Sequence, residues 1–184
     1  MALALNIILL FLEGIGLSIS FRARKWGNFV FYTQLSNMLC ALSSLLFVLF
    51  SPAAWVTDVR YLAACGLVMT FLVTICVLIP MGGDPKDLLL AGNGLYHHVL
   101  CPILCVLSYV LFEPHAGRNM VIPSMALTLL YGLIMLYLNY IRKVDGPYPF
   151  FRVHRQSVQA SVIWVLALLA LIGGISLAMC LIAA

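Results

Sequence analysis

Of 184 residues, 64% are hydrophobic and only 9% are charged, and the mean hydropathy is +1.11. A soluble domain carries about 25% charged residues, so this chain cannot clothe a single core in charge; it fits an all-α polytopic membrane protein. The net charge of +4 implies no nucleic-acid partner, because in such a protein the placement of positive charge tells more than its sum.

The hydropathy predicts six transmembrane helices in one integral membrane domain, residues 1–184. The spans fall at about 2–21, 28–50, 60–79, 94–112, 119–141 and 159–182. The first has no basic residue before it and no clean small-residue cleavage site after it, so it reads as a membrane helix rather than a signal peptide. The basic stretch Arg22–Ala23–Arg24–Lys25 stops it. Ser51–Pro52, Pro80 to Pro85 and Glu113–Pro114 mark the next breaks. Between the fifth and sixth spans runs a polar connection, residues 142–156, the one loop long enough to fold over a site. There is no internal repeat of the kind that builds inverted-repeat transporters.

Basic residues set the expected orientation. Arg22, Arg24, Lys25, Lys86, Arg142, Lys143, Arg152 and Arg155 fall in the odd-numbered connections, and Arg60 and Arg118 on the other side. This asymmetry predicts a cell-membrane protein with both termini on the non-cytoplasmic side. Trp26, Trp55 and Tyr148 suit the interfacial belts.

The six cysteines lie in apolar runs without a Cys-x-x-Cys pair and read as packing thiols. His97 and His98 are adjacent on a helix and point about 100° apart. His115 and His154 lie in loops on opposite sides. No metal site and no cofactor is expected.

The polar residues inside the spans collect toward one leaflet. Thr33, Gln34, Ser36 and Asn37 lie near the start of the second span, with Thr33 roughly 8 Å in from Asn28. Asn93, His97 and His98 open the fourth span, and Asn139 closes the fifth. Glu13 lies roughly 12 Å from the end of the first span at Phe21. Tyr148 stands in the long connection. Such groups are costly in lipid unless they face protein or a water-filled cavity. One reading is interhelical hydrogen-bond glue. The other is a site. A threonine hydroxyl becomes a nucleophile when a neutral imidazole takes its proton. Helix N-termini favour a neutral base and a developing oxyanion. Asn37 or Asn93 could add an amide donor. A site at this depth suits a lipid or fatty-acyl ester, with its chains in the bilayer and its ester meeting water.

Phe31–Tyr32–Thr33–Gln34–Leu35–Ser36–Asn37 and Asn93–Gly94–Leu95–Tyr96–His97–His98–Val99–Leu100–Cys101–Pro102 resemble two motifs of one membrane family. Gly146–Pro147–Tyr148–Pro149–Phe150 resembles a third. The family includes the androgen-induced and androgen-dependent TFPI-regulating proteins of animals. The chain looks closer still to small bacterial membrane proteins with Tyr-Thr-x-x-Ser-Asn and His…Pro signatures. The resemblance implies a multi-pass threonine hydrolase acting on fatty acid esters of hydroxy fatty acids, with Thr33 matching the nucleophile. It leaves the base open between His97 and His98, because the animal motif has one histidine here. The Ser36–Asn37 pair departs from the animal form, and Glu13 has no counterpart.

Two further readings compete. In a small-solute or proton-coupled transporter, Glu13 and the histidines would form a relay; the outer halves of the spans read as mostly apolar, with Ser108 and Thr128 as exceptions. A non-catalytic lipid-binding protein would share the pocket without turnover.

Overall fold

The computed structural model describes residues 1–51 and 53–182. Among them there are helices and tight turns and no strand. The helices are α1 (Ala2–Arg24), α2 (Tyr32–Phe50), α3 (Ala54–Val73), α4 (Pro85–Leu89), α5 (Cys101–Phe112), α6 (Val121–Tyr140) and α7 (Val158–Ile182). With their flanking turns, all but the five-residue α4 are long and apolar enough to cross a membrane, giving six spans. Helices suit lipid because they satisfy their backbone polar groups internally.

α3 is the centre of the bundle. Tyr61, Ala63, Ala64, Cys65 and Leu67 on it are fully buried. The small run Ala63–Ala64–Cys65–Gly66 lets α2, α5 and α7 approach it closely. α1 covers α2 and α5, and α6 pairs with α7. Gly173 forms part of that last contact, since a Cβ there would stand 3.3 Å from Met125 Sδ.

The first connection differs from the expected one. α1 continues past Phe21 to Arg24, and Lys25 turns the chain with φ 48°. A 3₁₀ turn, Lys25–Val30, follows. The buried Asn28 closes it by donating to the carbonyls of Ser20 (3.0 Å) and Lys25 (2.9 Å), groups a helix end leaves unpaired. Phe31 is extended, so α2 starts at Tyr32 rather than Asn28. Thr33 therefore sits in the first turn of α2, not a turn and a half inside.

The third span also starts early, at Ala54; Pro52 of the expected Ser51–Pro52 break lies outside the described residues. This moves Arg60 from the expected outer edge of the span into the bundle, where it is fully buried. Its Nε and Nη2 donate to Glu113 Oε2 and Oε1 at 2.8 and 2.9 Å. Its Nη1 donates to Ser43 and Ser44 Oγ at 3.1 and 3.0 Å. Glu113 Oε1 also accepts from Asn6 (2.8 Å) and Ser108 (2.6 Å). One ion pair thus ties α1, α2, α3 and α5 together at the end of the bundle away from Thr33. The exceptions in the mostly apolar outer halves of the spans thus extend beyond Ser108 and Thr128 to Asn6, Ser43, Ser44 and Arg60.

Two smaller expectations change. Cys76 is exposed, unlike the other five cysteines. Trp26 and Trp55 are exposed as belt residues are, but Tyr148 is buried.

Candidate functional site

The site is assembled where α3, α5 and the long connection meet the first turn of α2. After α3 the chain makes a π-helical turn, Thr74–Leu78, and then enters α4, capped by Asp84, whose side chain accepts from Lys86 N–H at 2.8 Å. α4 is barely more than one turn long, so its last carbonyls lack helical partners. The carbonyl of Leu88 finds one in His98 Nδ1, 2.7 Å away. Gly94 permits this approach: a Cβ there would stand 2.6 Å from Leu88 O and 2.7 Å from Asp87 O.

The histidines lie in a π-helical turn, Leu95–Leu100, ahead of α5. Pro102 has no N–H to give to the carbonyls behind it, and the wide turn accommodates this. The His97 carbonyl accepts instead from Asn37 Nδ2 at 3.3 Å. The same amide donates to the Thr33 carbonyl at 2.7 Å, which also accepts from Ser36 Oγ at 3.1 Å. Asn37 is thus not a donor to substrate, because its amide protons are spent. With Ser36, it fixes the backbone of Thr33 against the histidine turn.

The two imidazoles face different ways. His98 Nε2 lies 3.3 Å from Thr33 Oγ1. A carbonyl can only accept, so Nδ1 of His98 carries its proton and Nε2 offers a lone pair. The Thr33 hydroxyl therefore donates to Nε2. Tyr148, brought in by the long connection, completes the chain. Its hydroxyl lies 3.3 Å from both Thr33 Oγ1 and Thr33 N. The Thr33 N–H donates to the phenol oxygen, and the phenol proton points to Oγ1. Burial pushes the Tyr148 phenol above its ordinary range, so that proton stays in place.

His97 belongs to a separate cluster. Its Nδ1 is 3.1 Å from Gln34 Nε2, and its Nε2 is 3.7 Å from Glu13 Oε2. Glu13 is fully buried, and neither carboxyl oxygen has a hydrogen-bond partner among the described residues. Gly16 makes room for the ring, since a Cβ there would collide with His97. Glu13 is therefore not among the groups bonded to Thr33. Asn139 is apart as well: it donates to the Val144 carbonyl and accepts from Val153 N–H, shaping the connection. The residues expected at one depth form two clusters and a loop brace.

Thr33 stands between two cavities. One is a chamber of about 350 Å³ with a mixed lining, in which Arg24, Gln34, Asp87, Asn93 and His98 stand among apolar residues such as Phe31 and Met81. Arg24 lies 4.6 Å from the centroid of the Phe31 ring at its wall. The other is a narrow apolar slot of about 60 Å³ between α3, α6 and α7, floored by Phe150 and Phe151. Thr33, Leu78 and Tyr148 line both. Neither the slot nor the Arg60 cluster emerged from the sequence. The signal for the cluster was there: Asn6, Ser43, Ser44 and Ser108 bring polar groups from three helices to the depth of Arg60.

Compared with known proteins, the chain matches no family model, no curated protein and no solved structure.

Proposed function

We propose that the protein is a membrane-embedded hydrolase of lipid esters, with Thr33 as nucleophile and His98 as general base. The observation that carries this is the 3.3 Å approach of His98 Nε2 to Thr33 Oγ1, in a ring whose other nitrogen is held by Leu88. His98 takes the Thr33 proton as Oγ1 bonds to the ester carbonyl carbon. The carbonyl oxygen becomes an oxyanion beside the Tyr148 hydroxyl and the positive end of α2. The C–O bond to the alcohol breaks, and His98 returns its proton to the departing alkoxide. A water from the chamber then gives a proton to His98 and attacks the acyl-threonine; Thr33 recovers its proton and the fatty acid leaves. The motif resemblance to the androgen-induced family supports esters of the fatty acid–hydroxy fatty acid type, and the basic connections support a cell membrane with this site on its cytoplasmic side. The purified protein in proteoliposomes is expected to hydrolyse such esters, and Thr33→Ala and His98→Ala to abolish the reaction. Equal turnover by Thr33→Ala contradicts the reading.

The buried Glu13–His97 pair favours one alternative, proton-coupled transport. That reading requires proton-dependent uptake into proteoliposomes that Glu13→Gln removes. Lipid retained in the pocket with no turnover of any ester would instead indicate a non-catalytic lipid-binding protein.

A further inference from the structure

The two cavities that meet at Thr33 differ in one respect that decides how an ester must lie. His98 lines the larger chamber and does not line the apolar slot. In the hydrolase reading, on which this inference rests, the departing alkoxide takes its proton from His98 Nε2. The alcohol half must therefore leave on the chamber side. The acyl half lies across the nucleophile from it, and the slot is the space there. We propose that the slot is the acyl-chain site and the chamber the alcohol site, with Gly132 on α6 limiting the chain that fits.

The lining of the slot agrees with an alkyl occupant. Met69, Leu129, Phe151 and Leu168 form its walls, and Leu133, 51% exposed, lies at its rim on the outer face of α6. A volume of 60 Å³ gives about four to six water-sized positions. That suffices for the first few methylenes after the carbonyl; the rest of the chain continues past Leu133 into lipid. The acyl chain thus reaches Thr33 sideways from the bilayer, while the alcohol half stays on the chamber side. Gly132 stands where a side chain would intrude on these methylenes. A Cβ there would meet only the Phe151 ring edge, at 4.0 Å, so a larger residue grows into the slot without colliding at its root.

The test uses the purified full chain and p-nitrophenyl esters, whose alcohol is constant while the acyl chain varies. The reading is the ratio of kcat/KM for the decanoate to that for the butyrate. Gly132→Leu is expected to lower it about tenfold, the loss of roughly two buried methylenes. Leu168→Ala, which widens the slot, is expected to raise it, and it supplies the reading if Gly132→Leu does not fold. A ratio unchanged from wild type overturns the assignment and leaves the hydrolase reading intact. So does an effect confined to alkyl acetates of increasing alcohol length, which would mean that the halves lie the other way round. A wild-type protein that cleaves neither ester and takes no label from a fluorophosphonate overturns both.

Discussion

His98 Nδ1 lies 2.7 Å from the carbonyl oxygen of Leu88, and that contact turns the lone pair of the other ring nitrogen toward Thr33. His97, one residue earlier, is turned toward Glu13 and Gln34 instead. The adjacent rings should therefore respond unequally to substitution. His98→Gln is expected to lower kcat/KM by about 10²–10⁴, the usual contribution of a general base. His97→Gln should retain most of the activity and lose thermal stability. Equal losses of kcat/KM in the two variants would contradict the assignment of the base.

The Leu88 contact depends on Gly94. Gly94→Ala places a methyl carbon within 2.6–2.7 Å of two α4 carbonyl oxygens. The helix turn must back away, and His98 loses its anchor. Misplacement of a catalytic group by an ångström costs about 10²-fold. The expected result is a fall of that order in kcat with little change in KM. Wild-type kcat in Gly94→Ala would show that Leu88 does not orient the ring.

The pH profile reports on Tyr148. Burial raises its phenol pKa above the ordinary value of about 10. A raised phenol pKa means that the neutral, donating form persists to higher pH. kcat/KM should therefore rise once, as the His98 imidazole loses its proton, and hold level through about pH 10. Tyr148→Phe should keep the same acid limb and lower the plateau about three- to tenfold, the worth of one hydrogen bond. An alkaline decline below pH 10 that disappears in Tyr148→Phe would contradict this account.

Arg60 and Glu113 govern stability rather than the chemistry at Thr33. Arg60→Met leaves the Glu113 carboxylate buried without its cation, a loss of about 3–5 kcal/mol. Replacing both with Met and Leu removes the charge along with its partner and should recover most of that loss. Unfolding in detergent measures the difference. A double variant as unstable as the single one would mean that the surrounding serines and Asn6, not the ion pair, hold the four helices.

The six spans were legible because lipid leaves a helix no other way to satisfy its backbone. The approach of Thr33 to an imidazole was legible as well. A threonine and an imidazole at the starts of two spans had to lie at one depth once the alternation of helices was fixed. What separated His98 from His97 was not in the pattern. It depends on a π-helical turn before Pro102 and on an unpaired carbonyl at the end of a five-residue helix, both features of tertiary geometry. Arg60 was misplaced for a different reason. Hydropathy starts a span at the first long apolar run, and a paired charge inside a helix resembles a boundary. Asn37 has the right chemistry for an oxyanion donor, but in the folded protein two backbone carbonyls, those of Thr33 and His97, already occupy its amide.

The role of Thr33 is decided by labelling the detergent-purified protein with a fluorophosphonate and locating the adduct by mass spectrometry. A phosphonyl group on Thr33 is expected, absent in Thr33→Ala and slowed in His98→Gln. An adduct that persists undiminished in Thr33→Ala, or that maps to another residue, would contradict the assignment of Thr33 as nucleophile.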